Sequence, residues 1–153
     1  MQEIAVVLPD IRSAHNVGSI FRTADAVGVS RIFLAGHTPC PIDRFGRIDK
    51  TLQKTALGAE HSVPWEYAAR PRTLLKKLKH EGWRIVGVEQ DSRAHDYKKR
   101  HAERRIAFVF GNEVEGLSKN MRELCDELVE IPMRGTKESL NVSVAAGIIL
   151  FAH

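Results

Sequence analysis

The stretch IPMRGTKESLNVSVAAGIILF (131–151) decides how this chain is read. A polar loop carrying Pro132 and Gly135 runs straight into an almost wholly apolar segment. The pattern predicts a helix over 140–152 that is apolar on nearly every side. Such a helix is expected to be buried on most sides, covered by its own chain or by a second subunit. Ser139 and Asn141 stand at its entrance. Buried polar groups require partners, so these two are caps or ligand contacts. Capping accounts for one of them, not for both.

Working outward from that segment, strand-like and helix-like patterns alternate. The apolar run at 4–8, stopped by Pro9, predicts a buried strand. At 16–27 the apolar residues Val17, Ile20, Phe21, Ala24 and Val27 recur at helical spacing, and Gly28 is a natural C-cap. A second buried strand is expected at 31–35, a loop at 36–49, a short helix at 50–57 closed by Gly58, and an edge strand at 62–67. Pro71 and Gly82 bracket a helix over 73–81. Strands follow at 83–88, 106–110 and 128–131, with a polar, strongly basic stretch at 91–105. A helix at 118–125 takes Ser118 as its N-cap. The alternation predicts an α/β fold, one domain over 1–153, with a mostly parallel sheet flanked by helices.

The 153 residues carry 23 Lys and Arg against 19 Asp and Glu, a net charge of +4 that favours a polyanionic partner. The two cysteines, Cys40 and Cys125, have no metal-ligand spacing and suit a reducing cytoplasm. No metal site is expected. The opening MQEIAVVLPD does not read as a signal peptide, and the apolar segment at 142–152 is too short to span a bilayer. There is no GxGxxG after the first strand, no phosphate-binding GxxxxGK[ST], no HExxH and no GxSxG.

Three glycine-bearing loops remain as site candidates, because ligands in open α/β sheets bind beyond the carboxyl ends of strands. The first is NVGSIFRTA (16–24). Asn16 and Arg22 lie about two turns apart, and the segment fits a capped amphipathic helix with a surface Arg as well as a ligand cleft. The second is FGNEVEGL (110–117). Its acidic residues argue against a phosphate and favour a cationic or neutral polar ligand. An ordinary strand-to-helix turn fits it equally. The third is IPMRGTKESLNVSVA (131–145).

Together the three segments resemble the motifs of the SpoU (TrmH-like) branch of the SPOUT methyltransferases. All three are intact, in order, and span nearly the whole chain; KTALGAE (54–60) also looks like that family. The resemblance implies a SPOUT fold with a deep trefoil knot near the C-terminus, an exception to the usual topology rules. It implies a homodimer whose active site lies near the subunit interface. It also implies transfer of a methyl group from S-adenosyl-L-methionine (SAM) to a ribose 2′-hydroxyl of RNA. The family's functional positions carry over to Asn16, Arg22, Glu113, Ser139 and Asn141. The motif-one Arg has been assigned the base role. A guanidinium is hard to deprotonate, so Arg22 is expected instead to bind a phosphate and stabilise charge on the 2′-oxygen. SAM is expected to meet Val88, Glu89, Gly111, Asn112, Gly116, Ile131, Met133, Ser139 and Leu140, largely through backbone. Glu113 either shapes the site or holds its loop.

RNA phosphates are expected to meet Arg12, Arg22, Arg44, Arg47, Lys50 and Lys54, and the run 98–100 is either a further contact or a solvated loop. Many relatives that act on rRNA carry an extra N-terminal domain, so tRNA is the expected substrate over rRNA. Two other readings stay open. One is a SPOUT methyltransferase acting on a base nitrogen. The other is a non-catalytic RNA-binding module of the same fold.

Overall fold

A computed structural model describes residues 2–100 and 102–152. Among the described residues, seven strands form one sheet in the order β3-β2-β1-β6-β4-β7-β5. They are β1 (Glu3–Pro9), β2 (Arg31–Ala35), β3 (Trp65–Ala68), β4 (Arg84–Val88), β5 (His95–Asp96), β6 (Arg105–Phe110) and β7 (Glu127–Glu130). Every strand pair is parallel; Val6, for example, lies between Ile32 and Phe108. A parallel sheet is covered on both faces, so its central strands read as unbroken apolar runs. β1 and β6 follow that rule, with Ala5 to Leu8 and Ile106 to Val109 fully buried.

Among the described residues, six α-helices cover the sheet: α1 (Ala14–Val27), α2 (Lys50–Ala56), α3 (Ala59–Ser62), α4 (Pro71–His80), α5 (Lys119–Leu124) and α6 (Val142–Phe151). On one face Phe21 of α1, Leu52 of α2 and Leu150 of α6 share a core with Val6 and Phe108. On the other, Leu75 and Leu78 of α4 and Met121 of α5 pack on Val7 and Val109. α1 approaches α2 closely at Gly18, where a Cβ would stand 2.3 Å from the Leu52 carbonyl oxygen.

The structure revises several boundaries. α1 begins two residues before Asn16 and is capped by Ser13, whose hydroxyl accepts from the Asn16 N–H. Leu57 and Gly58 both take positive φ, which ends α2 and starts the separate short α3. Within the basic stretch, β5 leads into a single 3-10 turn, Tyr97–Lys99. His95 bonds Glu127 at 2.7 Å there, and the Arg100 guanidinium lies over the Phe108 ring at 5.3 Å, so the stretch is more than a solvated loop. α6 starts at Val142, capped by Asn141, and its own chain buries only one side of it. Val144 is 50 % exposed and Phe151 64 %.

Candidate functional site

The strands all run the same way, so the exits of β4, β6 and β7 lie side by side at one end of the sheet. The loops leaving them enclose a cavity of about 270 Å³. Val88 and Glu89 reach it from β4, and Gly111, Asn112, Glu113 and Gly116 from β6. The chain after β7 adds Ile131, Met133, Ser139 and Leu140. Every residue expected to meet SAM therefore borders one cavity.

Hydrogen bonds fix the walls. The Leu117 N–H donates to Glu89 Oε2 at 2.6 Å, and Glu89 Oε1 accepts from the Gln90 N–H. Gln90 Nε2 in turn donates to the Ile131 carbonyl at 2.8 Å, joining the first wall to the third. Gly116 has φ +68°, and a Cβ there would lie 2.2 Å from Glu89 Oε2. At Gly111 a Cβ would meet the backbone of Gly116 and Leu117 at 2.7 Å. Both positions need glycine, and both leave bare backbone facing the cavity.

Asn112 organises the middle wall. Its Oδ1 accepts from the N–H groups of Val114 and Glu115, and its Nδ2 donates to the Asp10 carbonyl. The side chain is thus committed to the loop. Glu113 Oε2 accepts weakly from the Arg12 N–H at 3.4 Å, which ties that loop to the exit of β1. Ser139 is exposed, and its hydroxyl has no hydrogen-bond partner among the described residues.

Asn141 and Asn16 are not in the cavity's lining, although Leu140 and Val142 on either side of Asn141 are. Asn141 Oδ1 accepts from the Ser143 N–H at 2.8 Å, and its Nδ2 donates to Asn16 Oδ1 at 3.2 Å. Arg22 lies six residues beyond Asn16, about 9 Å along α1 and roughly a third of a turn round it. Asn16 is buried and Arg22 exposed, and neither lines the cavity. Arg22 has no hydrogen bond or ion pair among the described residues. Of the residues expected to meet RNA, Arg12, Arg44, Arg47, Lys50 and Lys54 are all exposed, and Arg47 pairs with Asp43 at 2.8 Å.

Two residues with a clear role here escaped the sequence reading. Asp10 turns the chain after β1 with φ 54°, and its Oδ1 accepts from the His37 N–H. A Pro-Asp pair after an apolar run was the available signal. Gln90 had none, because its partner, the Ile131 carbonyl, is 41 positions away.

The sequence profile of the SpoU rRNA Methylase family matches residues 3–151. The chain belongs to this family. The SpoU chain is 37 % identical over 150 residues to the 23S rRNA (guanosine-2′-O-)-methyltransferase RlmB of Escherichia coli K12, covering 98 % of itself and 59 % of that protein. The Neisseria meningitidis protein of the same name is 37 % identical over 147 residues, with coverages of 96 % and 56 %. The chain therefore spans just over half the length of these curated relatives. Among solved structures, the AdoMet-bound rRNA methyltransferase from Sinorhizobium meliloti superposes with a TM-score of 0.89 at 28 % identity, over 98 % of this chain and 55 % of that one. The A. aeolicus TrmH/SpoU tRNA modifying enzyme gives 0.85 at 30 %, over 99 % and 74 %. The cavity thus sits in a SpoU fold of which at least two relatives have been solved with AdoMet bound.

Proposed function

We propose that this SpoU chain is a single methyltransferase domain that transfers a methyl group from SAM to a ribose 2′-hydroxyl of RNA. The observation that carries the reading is the cavity itself: bare backbone at Gly111 and Gly116, with Glu113, Glu115, Glu130 and Glu138 around it. Backbone N–H and C=O groups suit an adenine edge, and carboxylates suit a ligand of net positive charge. Polyphosphate nucleotides fit such a lining poorly. When bound, SAM supplies an activated methyl group on a sulfonium.

The chain's own groups then have separable tasks. Val88, Glu89, Gly111, Asn112 and Gly116, with Ile131, Met133 and Leu140, hold the cofactor and exclude water. Ser139, with its hydroxyl unpartnered, is placed to bond cofactor or ribose. Asn16 and Asn141 orient the third loop. Arg22, whose guanidinium has no hydrogen bond or ion pair among the described residues, binds substrate phosphate and stabilises the 2′-oxygen as its proton leaves. Glu113 holds its loop against Arg12.

Arg22 does not line the cavity, and α6 presents exposed Val144 and Phe151, with half-buried Ile148 between them, on one face. Both features support a homodimer in which a second copy covers α6 and the site forms near the interface. The segment 131–141 borders the cavity beside the exits of β4 and β6 and reaches Asn16 of α1, a return path that is compatible with a trefoil knot. We infer that the path is knotted; stretching the chain from both ends to less than its full contour length tests this. Unpaired Cys40 and Cys125 support a cytoplasmic setting.

The substrate is proposed to be rRNA or tRNA. The curated relatives are named for 23S rRNA guanosine, whereas the expected tRNA preference draws support from the A. aeolicus neighbour, of which the chain covers the larger share. Calorimetry with SAM, followed by mass mapping of the modified nucleoside in rRNA and tRNA, tests the whole reading. No SAM binding would leave an RNA-binding module, and a methylated base would leave a base-nitrogen enzyme.

A further inference from the structure

The loop between β2 and α2 holds a small hairpin that the cavity does not use. Ile42 and Ile48 form an antiparallel bridge, and the Asp49 N–H donates to the Pro41 carbonyl. Inside it, Asp43 Oδ1 accepts from the N–H groups of Phe45 and Arg47, and Oδ2 holds the Arg47 guanidinium at 2.8 Å. These Arg47 and Phe45 bonds hold the Asp43 carboxyl below its ordinary range. Gly46, with φ +79°, closes the turn. The tip is therefore ordered by its own bonds. It nevertheless exposes Phe45 by 66 %, with Ile42 at 46 % and Ile48 at 55 % beside it.

Two guanidinium groups stand over the Phe45 ring, Arg44 at 4.8 Å and Arg47 at 5.0 Å from its centroid. Arg44 has no ion pair among the described residues. An exposed ring flanked by cations is the combination that single-stranded nucleic acid meets: bases stack on the π surface while cations take the backbone. The hairpin is also tied to the end of the sheet that carries the cavity. Its base is pinned to the exit of β1, where the Thr38 hydroxyl donates to the Leu8 carbonyl and the His37 N–H to Asp10. The Asp10 carbonyl accepts from Asn112 of the cavity wall.

We propose that the hairpin at 41–49 is a recognition element for an unpaired stretch of the RNA substrate, in which a nucleobase stacks on Phe45 while Arg44 and Arg47 hold the flanking phosphates. This rests on the RNA-methyltransferase reading above and adds to it a preference for single-stranded RNA near the target. Charge complementarity favours RNA over a protein partner, because Lys50 and Lys54 of α2 continue the exposed cationic surface beyond the hairpin.

The test titrates a labelled, unstructured RNA oligonucleotide of mixed sequence by fluorescence anisotropy. The chain is compared with Phe45→Ala, Phe45→Trp and Arg44→Ala. Phe45→Ala is expected to weaken binding about tenfold. Phe45→Trp is expected to bind as the parent does, with its emission quenched by the RNA. A fully abasic strand is expected to bind the parent and Phe45→Ala alike, and annealing to a complement is expected to weaken binding to the parent. SAM affinity by calorimetry stays level across the set, because Phe45 does not border the cavity. Equal RNA affinity of parent and Phe45→Ala, or unquenched Phe45→Trp, overturns the proposal. So does loss of a dimer in Phe45→Ala with RNA binding unchanged, which would make the hairpin a subunit contact. If the parent methylates RNA with the same KM as Phe45→Ala, stacking alone fails. If the parent neither binds nor methylates RNA, the functional reading fails with it.

Discussion

The side-chain amide of Asn141 donates to the side-chain oxygen of Asn16 across 3.2 Å, although 125 positions separate them. The same Asn141 caps α6 through its oxygen, which accepts from both the N–H and the hydroxyl of Ser143. One residue thus starts the last helix and fastens it to the first.

Asn141→Ala is expected to cost about 1–2 kcal/mol in urea unfolding, the usual loss for an N-cap. Asn16→Ala is expected to cost less. The double variant should cost less than the sum by about 0.5–1.5 kcal/mol. Strict additivity would show that the Asn16–Asn141 bond contributes nothing.

Gly18→Ala is expected to loosen α1 from α2. The new methyl would lie 2.0 Å from Thr55 Oγ1 and 2.3 Å from the Leu52 carbonyl. Thr55 can rotate, but a helix carbonyl cannot. Overpacking of this kind costs about 1–3 kcal/mol, to be read as a lowered Tm.

Gly116→Ala is expected to weaken SAM binding. The left-handed backbone and the 2.2 Å approach of the new Cβ to Glu89 Oε2 would force the loop at 111–117 to shift where it borders the cavity, and a loss of about tenfold in affinity is expected. Calorimetry at matched temperature checks this. An unchanged Kd would mean that the loop at 111–117 does not hold the cofactor.

Arg22→Lys is expected to leave stability within about 0.5 kcal/mol, because Arg22 is exposed and unpartnered. Single-turnover methyl transfer should nonetheless fall about a hundredfold, with SAM affinity retained. A near-normal rate would remove any specific guanidinium role.

Burial pushes the Cys125 thiol from 9.0 up to about 12, with Asp126 adding to the shift. Above pH 9 the unfolded chain loses this proton while the folded chain keeps it. Stability from this group is therefore full below pH 9 and is lost as pH rises towards about 12. The limiting slope is about 1.4 kcal/mol per pH unit. Urea midpoints should fall over that window, and Cys125→Ala should flatten the fall.

Where burial is total, the sequence was readable. The unbroken apolar runs around Val6, Leu34 and Phe108 announced central strands, because both faces of a parallel sheet are covered. Where partners are distant, it was not. β5 has only His95 and Asp96, and pairing with β7 places it. Ser13 and Asn16 are both good caps by type. Burial of Asn16 against Asn141 leaves that role to Ser13. The second and third glycine loops foretold the cavity because each follows a strand at the same end of the sheet, whereas NVGSIFRTA lies inside α1 and borders no part of it. The position of Arg22 was not legible, since six residues along a helix do not reveal which neighbours bury the first and expose the last.

The Gln90–Ile131 bond closes a cavity whose three walls all come from the second half of the chain. In a nascent chain β1 emerges before β6, so that strand must wait for β6 to be made before its second edge is paired. The cofactor cavity waits longer still, until the segment after β7 has emerged and folded back. Ligand capture is therefore a late event in biosynthesis, and a stalled chain ending within β7 would carry two walls and no site.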